Sequence, residues 1–132
     1  MVLYWKNVKA FYNDRIFTDI ETIRNIHVPG ILRDFIRESN NAEPSLKRYK
    51  IGLSEKVFNS VLPFNDNIDG KSPLSNALND VTENNLIPFA TDPSGNYFCY
   101  DVITHKIVFW DNSTSTSIST GVDILLFMSS LY

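Results

Sequence analysis

Residues 86–111 restrict this chain to a fold built on an antiparallel sheet, because three apolar segments there are separated by two short breaks. Leu86-Ile87-Pro88-Phe89-Ala90 reads as a strand. Proline donates no hydrogen bond to a ladder, so this strand is either an edge or is bulged at Pro88. Asp92-Pro93-Ser94-Gly95-Asn96 is a tight turn: Asp opens it, Pro fixes the first central φ, and Gly accepts a positive φ. Residues 97–102 are rich in aromatic side chains and form the next strand. Alternation puts Tyr97, Cys99 and Asp101 on one face and Phe98, Tyr100 and Val102 on the other. After a short connection, residues 106–111 form a third strand, with Ile107 and Phe109 opposite Val108 and Trp110. Strands joined by such short turns pair antiparallel.

The segments around this meander carry helical spacing. Tyr4, Val8, Phe11 and Tyr12 stand at helical intervals and predict an amphipathic helix over 3–13. Thr18 or Asp19 caps a second helical segment, with Glu21 in capping-box spacing to Thr18 and with Ile20 and Ile23 facing inward. Pro29 suits the first turn of a third helix, whose core stripe is Val28, Leu32, Phe35 and Ile36 and whose wet face holds Arg33, Asp34, Arg37 and Glu38. Asn40, Asn41 and Pro44 end it. Residues 49–53 and 57–64 read as two strands, and Asp69-Gly70 as a turn. Ser72-Pro73 opens a short helix that buries Leu74 and Leu78. Residues 112–120 read as a Ser/Thr-rich loop. From Gly121 two adjoining stripes follow: Val122, Leu125 and Leu126, then Ile124, Phe127, Met128 and Leu131. They predict a broadly buried C-terminal helix. The expected class is α+β: a mainly antiparallel sheet of about five to six strands, with N-terminal helices and a C-terminal helix packed on it.

With 132 residues, 43% of them hydrophobic, the chain reads as one domain over 1–132. Its charge is uneven. Residues 1–50 hold nine basic and six acidic side chains, whereas residues 51–132 hold three and nine. A net charge of -3 argues against direct nucleic-acid binding and leaves the second part suited to a cationic partner. One cysteine excludes a disulfide framework, and His27 and His105 lack any metal-ligand spacing. Asp92-x-Ser94-x-Asn96 lacks the later glutamate of a calcium loop, so no metal or cofactor is expected. No glycine-rich phosphate loop and no G-x-S-x-G nucleophile motif occurs, so the chain is not expected to be an enzyme. No apolar run reaches the ~20 residues of a membrane span, and no signal-peptide pattern opens the chain, so the expected compartment is the cytoplasm, away from membranes.

The segment Ile87-Pro88-Phe89-Ala90, Asp92, Gly95-Asn96, Phe98-Cys99-Tyr100-Asp101, Val108-Phe109-Trp110-Asp111 resembles the signature of the SMI1/KNR4 (SUKH) family. Val28-Pro29, Phe35-Ile36, Asn40 through Pro44, and Leu126-Phe127 resemble its flanking elements. Asn41 stands where a glycine is common, and Asn112-Ser113 where family members often carry His-Glu. The resemblance implies an α+β binding protein. Bacterial members are typically immunity proteins, each binding and blocking a cognate toxin, often a nuclease. Fungal members act as regulators of cell-wall synthesis and signalling.

The expected function is therefore an immunity protein that neutralises a toxin by stoichiometric binding. The alternative is a regulatory or scaffold module with a cellular partner, and a third reading is a small-molecule sensor with Tyr97, Tyr100 and Trp110 lining a pocket. The candidate partner-binding residues are Asp66, Asp69, Asp92, Tyr97, Asp101, Trp110 and Asp111. Trp110 is either core or, if exposed, an interface anchor. Asp101 and Asp111 either cap loops or line one acidic edge with Asp66 and Asp69.

Overall fold

The computed structural model describes residues 3–132. In chain order it runs β1 (Trp5–Lys6), α1 (Arg15–Arg24), α2 (Gly30–Ser39), β2 (Glu43–Pro44), β3 (Arg48–Ile51), β4 (Ser54–Val57), β5 (Ser60–Val61), α3 (Pro73–Asp80), β6 (Leu86–Thr91), β7 (Tyr97–Asp101), β8 (Ile107–Asp111), β9 (Thr116–Ser119) and α4 (Ile124–Ser129). The last five strands form one antiparallel sheet in sequence order, β5-β6-β7-β8-β9. Two small ribbons, β1-β2 and β3-β4, complete the α+β architecture.

The 86–111 meander is the middle of that sheet. β6 lies between β5 and β7, so Pro88 is at a bulge and not on an edge: the register shifts between Pro88 and Ala90. β5 reaches only Ala90 and Thr91, so the missing Pro88 donor is asked for by no neighbour. β7 and β8 pair Tyr97 with Trp110, Phe98 with Phe109, Cys99 with Val108 and Tyr100 with Ile107. All eight of these residues are buried, because the sheet is covered on both faces.

One face is aromatic. Phe98 meets Phe109, Phe58 and Phe127 at 5.3–5.4 Å between ring centroids. Phe58 continues the cluster to Phe89 and Trp5, and Phe35 stands edge-on to both Trp5 and Phe89. Edge-to-face and offset pairs of this kind add to the burial term. On the other side α1 and α3 are tied together by Arg24, whose Nη2 donates to the carbonyls of Leu78 (2.9 Å) and Val81 (2.7 Å).

Four expectations are corrected. The helix over 3–13 does not form. Asn7 has φ 60°, which no right-handed helix accommodates, and Trp5 pairs instead with Pro44. The spacing was present but had nothing to face: Tyr4, Val8 and Tyr12 are exposed, whereas Leu3, Trp5 and Phe11 pack on the core. The next helix starts at Arg15, before the expected cap, and buries Ile16, Phe17 and Ile20 while Ile23 is exposed. The expected strand over 57–64 is two pieces in different sheets, β4 and β5, with buried Phe58 between them. Residues 116–119 are not loop but the edge strand β9. All four of its residues are exposed, so no alternation could announce it.

The terminal helices of the sheet layer follow their signals more closely. Ser72 Oγ accepts the Ser75 N–H at 3.0 Å and Pro73 opens α3 as expected. Asp123 does the same for α4 through the Leu126 N–H at 2.8 Å. α4 is narrower in its burial than the two stripes suggested: Ile124, Phe127 and Met128 are buried, but Leu125 and Leu126 are exposed. α2 carries the expected core residues Leu32 and Ile36, with Pro29 as its N-cap.

Candidate functional site

The antiparallel run of β7 and β8 puts Asp101 and Asp111 at opposite ends of the sheet, since Tyr97 faces Trp110 and Tyr100 faces Ile107. They do not line one acidic edge. Asp101 closes the β7–β8 turn, where its Oδ1 accepts from Ile103 N (2.9 Å) and Asn85 Nδ2 (3.2 Å). Asp66 and Asp69 lie elsewhere again, in the loop before α3, where Asp69 Oδ1 accepts the N–H groups of Lys71 and Ser72. The eight residues of α3 separate that loop from Asp80 by about 12 Å.

Two of the partner-binding candidates, Asp92 and Asp111, come together with Asp80, a residue the sequence did not single out. At the end of the sheet holding the β6–β7 and β8–β9 turns, a polar network links Asp92, Asn96, Asn112 and Asp80. Asp92 Oδ1 accepts from Ser94 N and Asn96 N at 2.8 Å, and its Oδ2 accepts from Asn96 Nδ2 at 2.9 Å. Asn96 Oδ1 accepts the Asn112 N–H at 2.9 Å, which fastens the two turns to each other. Asn112 Nδ2 then donates to Asp80 Oδ2 at 3.3 Å, the oxygen that also accepts the Tyr97 hydroxyl at 2.6 Å. Asp111 ends β8 alongside, accepting from Ser113 N and Oγ. Asp80, Asp92 and Asp111 are thus held in fixed positions by neutral donors.

The remaining candidates are core residues. Trp110 is 1% exposed and Tyr97 is buried beneath Asp80, so neither presents a surface to a partner. The Trp110 indole N–H has no hydrogen-bond partner among the described residues, and packing alone holds the ring. Tyr97 and Trp110 share one face of the sheet and Tyr100 lies on the other. The three therefore cannot line one pocket. The surface depressions are lined by other residues: Arg15, Ile23 and Ile68; Leu46, Leu125 and Leu131; and Asn25 and His27.

The electrostatics separate the two parts of the chain. Among the described residues five ion pairs with Arg or Lys form, beside a His27–Glu21 contact, and every carboxylate in them comes from residues 14–43: Asp14, Asp19, Glu21, Asp34 and Glu43. None of the nine carboxylates after residue 50 sits in an ion pair there. The early carboxylates are mostly paired, and the later ones keep their field.

Hydrogen bonding also shifts several of these groups. The Ser113 hydroxyl, with backbone N–H groups and nearby Lys56, holds the Asp111 carboxyl below its ordinary value against the opposing effect of burial. Partial burial pushes Asp101 up, but the N–H of Ile103, the Asn85 amide and Thr104 together outweigh it and the net shift is down. The Lys71 and Ser72 N–H groups lower Asp69. Burial and the bond to Asp80 push the Tyr97 hydroxyl well above its usual range. Burial likewise raises the thiol of Cys99, which makes it a poor nucleophile.

A carboxyl whose folded value is lowered stabilises the fold fully above its unfolded value, near 3.9 for Asp, and loses that contribution as pH falls through the folded value. Acid unfolding should therefore steepen below about pH 4. Asp101→Asn should flatten the acid limb of a stability–pH curve. An acid limb identical to that of the unaltered chain would refute the assignment.

Asn112 was visible in the sequence only as a departure from the family pattern; here it joins the two turns. Asn41, the other departure, has φ 62°, a conformation glycine enters freely and asparagine better than most other residues. No group of His, Cys, Asp and Glu suited to a metal ion occurs among the described residues, and no helix there is long and apolar enough to cross a membrane.

Compared with known proteins, the chain matches the model of the SMI1-KNR4 cell-wall family over residues 14–123, from the start of α1 to the cap of α4. No curated protein and no solved structure matches it.

Proposed function

Because the chain belongs to the SMI1/KNR4 (SUKH) family, we propose that it is a bacterial immunity protein that binds a cognate toxin stoichiometrically and blocks it without catalysis. The observation that carries the charge side of this reading is the set of carboxylates after residue 50 that sit in no ion pair among the described residues, with Asp80, Asp92 and Asp111 fixed at one end of the sheet. A nuclease toxin must approach an anionic nucleic acid and so displays positive charge. An acidic inhibitor is drawn to that surface and covers it. The network already holds its side chains in place, so little rotamer freedom is lost on binding. The proposed compartment is the cytoplasm, where such a toxin would act.

Charge of this kind acts mainly on the association rate. Raising salt from low to about 0.5 M should slow association with the toxin roughly tenfold or more, as expected for steered encounter. Asp92→Asn with Asp111→Asn should lower the low-salt rate while leaving the high-salt rate nearly unchanged. A rate independent of salt would remove the electrostatic half of the proposal.

The inhibitory half is tested by growth. Cells expressing the toxic domain of the captured partner should survive only when this chain is co-expressed. A partner that does not harm cells, and whose loss mimics loss of this chain in envelope assays, would transfer the protein to the regulatory reading that the cell-wall description of the family also covers.

A further inference from the structure

The five-stranded sheet has two edges, and only one of them is closed. Along β5 the Val61 N–H donates to Ala42 O at 2.9 Å and Leu62 O accepts from Asn41 N, so residues 41 and 42 cover that side. β9, at the other side, has β8 as its only strand neighbour among the described residues. Natural edges are usually guarded by charge, proline or a bulge. β9 is short, at four residues, but has none of these three: residues 112–122 contain no charged side chain and no proline, and its register with β8 is unbroken.

We propose that the chain self-associates as a two-fold dimer in which β9 pairs antiparallel with β9 of a second copy, continuing the sheet across the axis. The ladder specifies which backbone groups face outward, and the exposed Ile118 selects the register among the pairings they allow. Thr120 N–H donates inward to Ile107 O. Backbone groups alternate along an antiparallel strand, so Ile118 and Thr116 also turn inward and the N–H and C=O groups of Ser117 and Ser119 point outward. A two-fold copy then bonds Ser117 to Ser119 and Ser119 to Ser117, which places Ile118 opposite itself on the axis.

That position is a non-hydrogen-bonded pair, where Cα atoms approach to about 4.5 Å and side chains touch. Ile118 is the one apolar side chain of β9 and is 52% exposed. The dimer covers it. A second copy fits this edge better than a charged partner does, because the strand offers no charge to complement, and two acidic molecules meet here with no carboxylate on the contacting strand. This association is independent of the toxin reading; the carboxylates at the strand ends belong to other segments.

Sedimentation equilibrium of the full chain should show a mass rising with concentration from 15.1 kDa toward twice that value. Ile118→Lys should return it to the monomer while leaving the thermal unfolding curve in place at a protein concentration low enough for the unaltered chain to be monomeric too, since lysine is an ordinary guard of edge strands. Ile118→Cys should cross-link to a disulfide dimer in air, and Thr114→Cys, in the turn before β9 and far from its own copy across the axis, should not. The buried Cys99 does not interfere. A monomer persisting to about 1 mM would overturn the proposal, that limit corresponding to only about 4 kcal/mol of association. A dimer indifferent to Ile118→Lys, or equal cross-linking of the two cysteine variants, would overturn it as well.

Discussion

Phe58→Ala should lower folding stability by about 3–5 kcal/mol, the usual loss for a fully buried phenylalanine. Phe58 is 0% exposed and touches Trp5, Phe89, Phe98 and Phe127. It sits between β4 and β5, so one ring joins the N-terminal segment, the central sheet and α4. Truncation removes the transfer energy of the ring and leaves a cavity whose walls belong to three separate elements and cannot all close in. Against a total of about 5–15 kcal/mol this is a large share. Urea unfolding of Phe58→Ala and Phe58→Leu measures it, with the leucine variant expected to recover part of the loss. A cost under about 1 kcal/mol would mean that the ring is not the joint described.

Asn40→Ala should be the second large loss, about 1–3 kcal/mol for each buried group left unpaired. Asn40 is 1% exposed. Its Oδ1 accepts the Phe64 N–H at 2.8 Å, and its Nδ2 donates to Lys9 O at 3.2 Å, while its own carbonyl accepts the Lys9 N–H. One side chain therefore pins the 3–13 segment and the end of the 60–64 segment to the C-terminus of α2. Alanine strands the Phe64 N–H in the core. Asn40→Asp does not rescue, because it loses the donor and buries a charge. Amide exchange reads the effect locally: the Phe64 N–H should lose protection in Asn40→Ala. Retained protection there would contradict the role assigned to this amide.

The central strands were legible because their composition and their breaks agree. Asp92 through Asn96 could be little but a turn, and the aromatic runs on either side could be little but strands. Pro88 was legible as an exception, and the structure resolves it as a bulge. The failures have definite causes. Residues 4–12 have helical spacing, but a stripe forms a helix only where a core lies opposite it, and here Trp5 gains more by lying across Phe35 and Phe58. β9 carries no buried residue and so no pattern.

The site was less legible than the fold. Trp110 and Tyr97 looked like candidates because aromatic residues serve both cores and interfaces, and only the covering of both sheet faces decides between them. The pairing of Asp101 with Asp111 overlooked a signal that was present. Strands joined by a short turn run antiparallel, so residues ending consecutive strands fall at opposite ends of the sheet. Asp80 carried no local mark; it reaches the network through the length of α3 and the reach of the Tyr97 hydroxyl.

The identity of the bound partner tests the account most directly. The tagged chain would be captured from its native host under conditions where any partner is made, and stoichiometrically retained proteins identified by mass spectrometry. The account predicts one dominant protein near 1:1, bearing a toxic domain with a cationic surface, and released when salt is raised. Retention of signalling or envelope-synthesis proteins in its place, held equally at high salt, would contradict it.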